Sequence, residues 1–208
     1  DTVAVIGFQK MSEISSAEVQ ERMGRGADIQ WESPFGTMMP AGYAMYARAH
    51  MQKYGTTEEQ LARVKVKSGK YSLLNPLAMY RRAVTLEECL EARVIASPLK
   101  LFDCCANADG ASCVIMASQE KARNITDTPV WVVGIGAASD TLSTTSRINL
   151  TGLTCAIEAG KQAYKMANIE PKDVDVAEVH DCFTIAEIMA YENLSFCKPG
   201  EGGKLIEE

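Results

Sequence analysis

The sequence lacks the features that mark membrane, zinc-binding or nucleic-acid-binding chains. No apolar run reaches the roughly 20 residues that a helix needs to span a bilayer; the longest lies near residues 130–138. No two of its seven cysteines have C-x-x-C spacing, and their number is odd, which argues against a structural zinc site and a closed disulfide framework. Its basic residues are dispersed and the formal net charge is −6, so no basic footprint for nucleic acid is present.

Cysteine usage instead predicts a protein of the reducing cytoplasm, since no secretory leader pattern opens the chain. Most of the cysteines are interpreted as small buried side chains, including Cys104 and Cys105, because sequence neighbours cannot easily share one tetrahedral metal site. No metal site and no metal or redox cofactor is predicted. Gly134 and Gly136 do not complete a dinucleotide-binding fingerprint, so a Rossmann-type site is rejected.

The hydrophobic pattern predicts an α/β fold in which a helical insertion separates two strand-containing parts. The expected strands are residues 2–8, 98–103, 111–117, 130–136 and 174–179. The expected helices are residues 40–54, 56–71, 85–92, 151–168 and a helix that begins near Thr184. Either Thr56 with Glu59 or Thr57 with Gln60 can form a capping box, and Thr85 with Glu88 forms another. Residues 9–39 are expected to be irregular, and the many small residues of the helix at 151–168 predict close packing.

Chemistry is expected where the strand at 174–179 meets the helix after it. His180, Asp181 and Cys182 lie at this junction, and in open α/β folds ligands bind where helix amides point into such a crevice. Asp181 can orient a neighbouring group or cap the helix, and Cys182 is interpreted as a packing residue. The sequence has two histidines; the other, His50, lies among polar residues and is expected to be solvated or partly packed.

Five collinear segments then identify a resemblance to the thiolase superfamily. The branch related to sterol-carrier-protein thiolases and to archaeal and bacterial acetyl-CoA acetyltransferase homologues is the most similar. The segments are GFQKMSE (7–13), YARAHMQKYGTT (46–57), NPLAMYR (75–81), DCCANADGASCVIMAS (103–118) and VHDCFTIAEIMAYENLSFCKPGEGG (179–203). The resemblance implies a thiolase fold, a layered α/β/α/β/α sandwich with an inserted helical loop domain. Residues 1–13 would end the N-terminal half, 14–97 would form the CoA-facing loop domain, and 98–208 would supply the rest of that half and most of the C-terminal half.

The resemblance also implies an activity, acyl transfer between coenzyme A thioesters. Such an acyl-CoA C-acyltransferase makes or cleaves 3-oxoacyl-CoA by thioester exchange and Claisen condensation, and the thioesters are substrates rather than cofactors. His180 matches the histidine of the H-D-C-F motif, whose implied role is to form an oxyanion hole for the enolate of the second acyl-CoA. Met39 and Phe183 align with positions that line the acyl pocket, and each can equally be a core residue.

Some positions depart from the family pattern. None of the seven cysteines stands in the context of the family's nucleophile, which is expected to precede Asp1, so the chain is expected to be a central segment of a longer protein. Relatives often have K-N-H where this chain has Lys67-Ser68-Gly69, and no CoA-binding residue is assigned.

Two alternatives stay open: a non-catalytic acyl-CoA-binding or scaffold subunit, and a thiolase-fold CoA aldolase, although such aldolases tend to have tyrosine where His180 stands. The expected partners are further copies of the chain, as a homodimer or tetramer, and an OB-fold, zinc-ribbon subunit.

Overall fold

The computed structural model describes all 208 residues and is mixed α/β, with two small sheets and eight α-helices. In chain order the elements are β1 (Thr2–Gln9), α1 (Ser16–Gly24), α2 (Met39–Tyr54), α3 (Glu58–Ser72), α4 (Leu86–Glu91), β2 (Val94–Ala96), β3 (Leu99–Lys100), β4 (Gly110–Ala117), α5 (Gln119–Ile125), α6 (Thr154–Ala167), α7 (Thr184–Asn193) and α8 (Gly202–Leu205). None of these helices combines the length and the apolar composition that crossing a membrane requires.

The main core lies among helices rather than between sheets. Helices α2, α3 and α7 pack together with β3, and their buried residues form one cluster. Helix α7 is the centre of this cluster: Ile185 and Ile188 are 0% exposed and Met189 is 1% exposed. A helix buried on nearly every side is expected to carry few polar residues, and the sequence IAEIMA follows that rule except at the buried Glu187.

The longer sheet is a two-stranded antiparallel pair at the surface. Strands β1 and β4 pair from Thr2 opposite Ala117 to Gln9 opposite Gly110. Every residue of β1 is exposed, including the apolar residues Val3, Val5 and Phe8. This pair therefore adds little to the core, which the helices supply.

Several helix caps were predicted correctly from the sequence. Of the two possible boxes before α3, the structure forms the one in which Thr57 and Gln60 exchange hydrogen bonds of 3.1 Å. Thr85 and Glu88 form the second box, before α4. Gly55 ends α2 in the left-handed conformation with φ of 78°, which glycine adopts without steric cost.

Other predictions of secondary structure were wrong. Residues 9–39 contain α1, whose first turn is capped by the Ser15 hydroxyl, which accepts from the Glu18 N–H at 3.2 Å. Residues 130–136 and 174–179 form no strand, and only Leu99–Lys100 of the segment 98–103 is a strand before a 3₁₀ turn. A strand requires a neighbour for its hydrogen bonds, and these segments have no ladder partner in the 208 residues. The domain boundaries at 13/14 and 97/98 stay a prediction.

The segment around Gly134 and Gly136 packs directly on α6, as the small residues of that helix predicted. A Cβ atom on Gly136 would lie far below 3.0 Å from the carbonyl oxygen of Ala159, and one on Gly134 would also lie below 3.0 Å from that of Ala163. The Ala137 N–H donates to Gln162 on the same helix at 3.3 Å. Glycine is required at both positions because the backbone of this segment lies too close to the backbone of α6 for a side chain.

Gly136→Ala is therefore expected to reduce the free energy of unfolding by about 1–3 kcal/mol, because the new methyl group must displace helix backbone. The matched control is Gly110→Ala, where a Cβ would meet nothing within 4 Å. Chemical denaturation of both variants measures the difference. Equal stability of the two variants would show that residues 130–137 do not rest on α6.

Candidate functional site

Helix α7 begins at a turn that is tied to the segment before β4. Phe183 precedes the helix with an extended backbone and pairs with Cys104 in an isolated antiparallel bridge. Next to this bridge the Cys105 N–H donates to the Cys182 carbonyl at 3.0 Å. No side chain caps the helix, so the interpretation of Asp181 as a cap was wrong. Two backbone segments thus fix the position of the helix start.

A buried carboxyl group secures the same turn. Asp103 accepts from the Thr184 hydroxyl at 2.8 Å and from the Lys100 N–H at 2.8 Å. Burial raises the pKa of Asp103 above its usual value, although both hydrogen bonds act in the opposite direction. Because Thr184 is the first residue of α7, this contact ties the first turn of the helix to the segment after β3.

His180 stands just before this anchored turn and is exposed. Asp181 is exposed beside it, while Cys182 is partly buried and packs against the core, as predicted. The imidazole therefore projects from a backbone that is anchored from the second residue after it, by the hydrogen bond at Cys182, the bridge at Phe183 and the hydrogen bond at Thr184. A donor held in this way can be aimed at a substrate oxygen without a large ordering cost when the substrate binds.

Both predicted pocket residues lie at the main core cluster. Phe183 is 5% exposed and belongs to the main core cluster, and Met39 packs against that cluster from the start of α2. Tyr43, which follows Met39 by four residues on α2, stacks its ring on Phe183 with centroids 4.4 Å apart and an interplanar angle of 21°. Tyr43 was not predicted as a site residue; its spacing of four from Met39 on α2 was the available signal.

Tyr43 also contacts the junction itself. Burial raises the pKa of the Tyr43 hydroxyl, and its hydrogen bond with Cys182 raises it further, so the phenol is neutral at physiological pH. Tyr43 packs edge-on against Tyr46 with ring centroids 5.6 Å apart. Phe183, Tyr43 and Tyr46 therefore form an aromatic, uncharged group at the start of α7, called the aromatic wall below, and such a group suits the apolar part of an acyl chain.

Lys67 is bound by α7 rather than free at the surface. Its ammonium group donates to the Glu187 carboxylate and, at 3.2 Å, to the Tyr191 hydroxyl, which itself donates to Glu187. The Glu187 side chain is only 3% exposed, so Lys67 neutralises a buried charge. Gly69 faces the Arg82 carbonyl, where a Cβ would lie 3.1 Å away, leaving no room for a longer side chain without adjustment. These contacts explain the position of Lys67 by a structural role alone.

His50 is part of a second buried polar cluster, so the expectation that it is solvated or partly packed was wrong. Its ring is 0% exposed, with Nδ1 at 2.7 Å from the Thr56 hydroxyl and Nε2 at 3.1 Å from Glu192. A carboxylate only accepts hydrogen bonds, so Nε2 carries a proton. Burial by itself raises the pKa of Glu192, but hydrogen bonds from His50 and from the N–H groups of Gly200 and Gly202 outweigh it and hold the pKa below its usual value.

Two surface hollows are lined by residues other than His180. One, of about 480 Å³, follows the end of the β1–β4 pair at residues 7–9 and 108–112. The other, of about 450 Å³, includes Met11, Val19 and Met79. Asp109 fixes the chain between them by accepting from the Ser12 hydroxyl at 2.6 Å and from the Met11 N–H at 2.7 Å.

Comparison with known proteins agrees with this arrangement. The sequence model of the thiolase C-terminal domain-like family matches residues 136–208. The acetyl-CoA acetyltransferase of Methanothermobacter thermautotrophicus is 39% identical over 208 residues, which cover 100% of this chain and 54% of that protein. The enzyme of the same name from Methanocaldococcus jannaschii is 41% identical over 208 residues, or 99% of this chain and 53% of that protein.

The solved structure named "Ltp2-ChsH2(DUF35) aldolase" superimposes with a TM-score of 0.79 at 30% identity. The match covers 98% of this chain and 55% of that one. The chain spans about half the length of the curated relatives that it matches. Its fold and its similarity along nearly every residue lead to one conclusion: the chain is a thiolase-like segment, with the mixed α/β architecture of the thiolase fold and a thiolase C-terminal domain-like region at residues 136–208.

Proposed function

We propose that this segment serves a thiolase-type acyl-CoA C-acyltransferase, which makes or cleaves 3-oxoacyl-CoA by thioester exchange and Claisen condensation. The observation that carries the proposal is the exposed His180 at an anchored helix start, in a chain similar over its whole length to acetyl-CoA acetyltransferases.

In the proposed reaction His180 acts on the second acyl-CoA. Removal of a proton from the carbon next to the thioester places negative charge on the thioester oxygen. An imidazole N–H aimed at that oxygen stabilises the enolate, and a donor at a fixed position has more effect in the transition state than one that must reorganise. The bridge at Phe183 and the Thr184 hydrogen bond to Asp103 supply that fixed position.

The acyl group would rest on the aromatic wall at the start of α7. Met39 and Phe183 were predicted as pocket residues, and the stacked Tyr43 extends the same surface. No residue is assigned to the CoA moiety, because Lys67, the basic residue at the expected place, is bound to Glu187.

The cysteines of this segment support an acyl-accepting cysteine that lies outside it. A cysteine that must accept an acyl group rapidly in every turnover at neutral pH is activated by a lowered pKa. Burial instead raises the pKa of Cys104 and of Cys197 to about 11. Burial also raises the thiol pKa of Cys89, Cys105 and Cys182.

A CoA aldolase is the second candidate, because one similar solved structure is named as an aldolase at 30% identity. An aldolase cleaves the carbon–carbon bond without an acyl-enzyme and without consuming free CoA. A scaffold subunit would form no acyl-enzyme and would cleave no carbon–carbon bond. The name of the same structure includes a DUF35 component, which favours an OB-fold, zinc-ribbon partner subunit for this protein beside self-association as a homodimer or tetramer.

A covalent labelling experiment on the product of the complete reading frame distinguishes these functions. We expect incubation with acetyl-CoA to give one acetyl adduct on a cysteine outside these 208 residues, and acetoacetyl-CoA to be cleaved only when CoA is supplied. Intact mass, peptide mapping and CoA consumption are the measurements. An adduct on one of the seven cysteines described above, or cleavage without CoA, would contradict the proposal.

A further inference from the structure

Two cysteines lie opposite each other at the junction, and the proposed acyl transfer uses neither. The segments around Cys104 and Phe183 run antiparallel through their bridge. The residue after Cys104 therefore faces the residue before Phe183, which sets Cys105 against Cys182. Their backbones are joined by the 3.0 Å hydrogen bond from the Cys105 N–H to the Cys182 carbonyl.

This opposition meets the main-chain requirement for a disulfide. Directly opposed residues of antiparallel segments have Cα atoms about 4.5–5.5 Å apart, and disulfides span Cα separations of about 4.4–6.8 Å. No other pair of cysteines in the chain is joined by a bridge or by a backbone hydrogen bond: Cys104 faces Phe183, and Cys113 on β4 faces Ile6.

The two thiols differ in access. Cys105 is exposed, whereas Cys182 is partly buried and hydrogen-bonded to Tyr43. An oxidant in solution therefore reaches Cys105 first, and Cys182 stands next to it as a thiol that can resolve an oxidised Cys105.

We propose that Cys105 and Cys182 form a reversible disulfide when the protein meets a peroxide. The Cys105 thiolate attacks one peroxide oxygen, breaks the O–O bond and becomes a sulfenic acid, and the leaving hydroxide takes a proton to form water. The Cys182 sulfur then attacks the Cys105 sulfur, displaces its hydroxide as a second water and forms the S–S bond. In sum, two thiols lose two electrons and two protons, and one peroxide is reduced to two waters.

Disulfide formation is expected to depend on the peroxide concentration. Burial raises the pKa of Cys105 and of Cys182, and the charge of Asp181 raises both further, so both are thiols at neutral pH and react slowly until peroxide accumulates. A reversible bond of this kind is compatible with a reducing compartment, where disulfides are transient. The bond would tie the segment before β4 to a residue two positions after His180 and so restrict the turn from which the imidazole projects.

The test treats the full chain with hydrogen peroxide, then quenches, unfolds and counts thiols. Among the seven thiols of these 208 residues, we expect two to be lost and recovered with dithiothreitol, faster at about pH 9 than at about pH 7 because the thiolate attacks. Non-reducing peptide mapping should identify one Cys105–Cys182 linked peptide and an intact mass lower by two hydrogen atoms.

Three single variants make the assignment specific. Cys105→Ser and Cys182→Ser should each abolish the reversible loss of a thiol pair. Cys113→Ser, at an exposed position with no opposing thiol, should leave that loss unchanged. Linkage of Cys105 to Cys104, linkage only between molecules, or no linked peptide would overturn the proposal. Because every readout is thiol chemistry, these outcomes are independent of whether the protein transfers acyl groups.

Discussion

His50→Ala is expected to lower the free energy of unfolding by about 3–5 kcal/mol, the usual cost of truncating a large buried ring to alanine, to which the loss of a hydrogen bond to a buried carboxylate contributes. The substitution leaves the Glu192 carboxylate, whose side chain is 3% exposed, without its side-chain partner and leaves the Thr56 hydroxyl unmatched. It also opens a cavity where the ring was 0% exposed. Since Glu192 accepts from the Gly202 N–H at 2.9 Å as well, the damage reaches three helices, α2, α7 and α8.

The matched control is the same substitution at the other histidine. His180 is exposed and has no hydrogen bond to another side chain, so His180→Ala should change stability by about 0.5 kcal/mol or less. Urea denaturation followed by circular dichroism measures both variants, and their slopes against denaturant should agree. Equal stability of the two alanine variants would show that the His50 cluster does not hold the helices together.

The error over His50 shows what local sequence can and cannot supply. Helices α2, α3 and α7 were predicted because spacing, capping boxes and the terminal Gly55 are all local signals. The environment of His50 is set by Glu192, 142 residues further on. No local pattern contains that contact, and the polar neighbours of His50 in sequence pointed to solvent instead.

Strand formation also depends on contacts that are distant in sequence, because a strand needs a second strand for its hydrogen bonds. Residues 130–136 have strand composition, yet they lie on α6 with no ladder. Strands β1 and β4 were predicted within one or two residues because they pair with each other. At the candidate site, His180, Met39 and Phe183 came from motif resemblance, whereas Tyr43 emerged only from ring stacking in three dimensions.

In the complete protein, His180→Ala is expected to slow condensation by about 10²–10³-fold, the usual effect of removing one oxyanion donor. Transfer of the first acyl group to the enzyme should change by only a few-fold, because the enolate oxygen exists only in the second half-reaction. Single-turnover acylation by acetyl-CoA and the rate of acetoacetyl-CoA formation separate the two steps. His180→Asn should recover part of the rate, since an amide N–H can replace the imidazole donor in kind.

Glu178→Gln provides the control, because Glu178 is an exposed residue two positions before His180 and outside the anchored turn. It should leave both half-reactions unchanged, which separates loss of a donor from disturbance of the nearby backbone. If His180→Ala slowed acylation and condensation equally, the residue would position the turn rather than bind the enolate. If it slowed carbon–carbon cleavage while no acyl-enzyme formed in the parent protein, the same donor would serve an aldolase. The ratio of the two half-reactions thus tests His180 as an enolate donor, and the presence of an acyl-enzyme decides between the two enzymes.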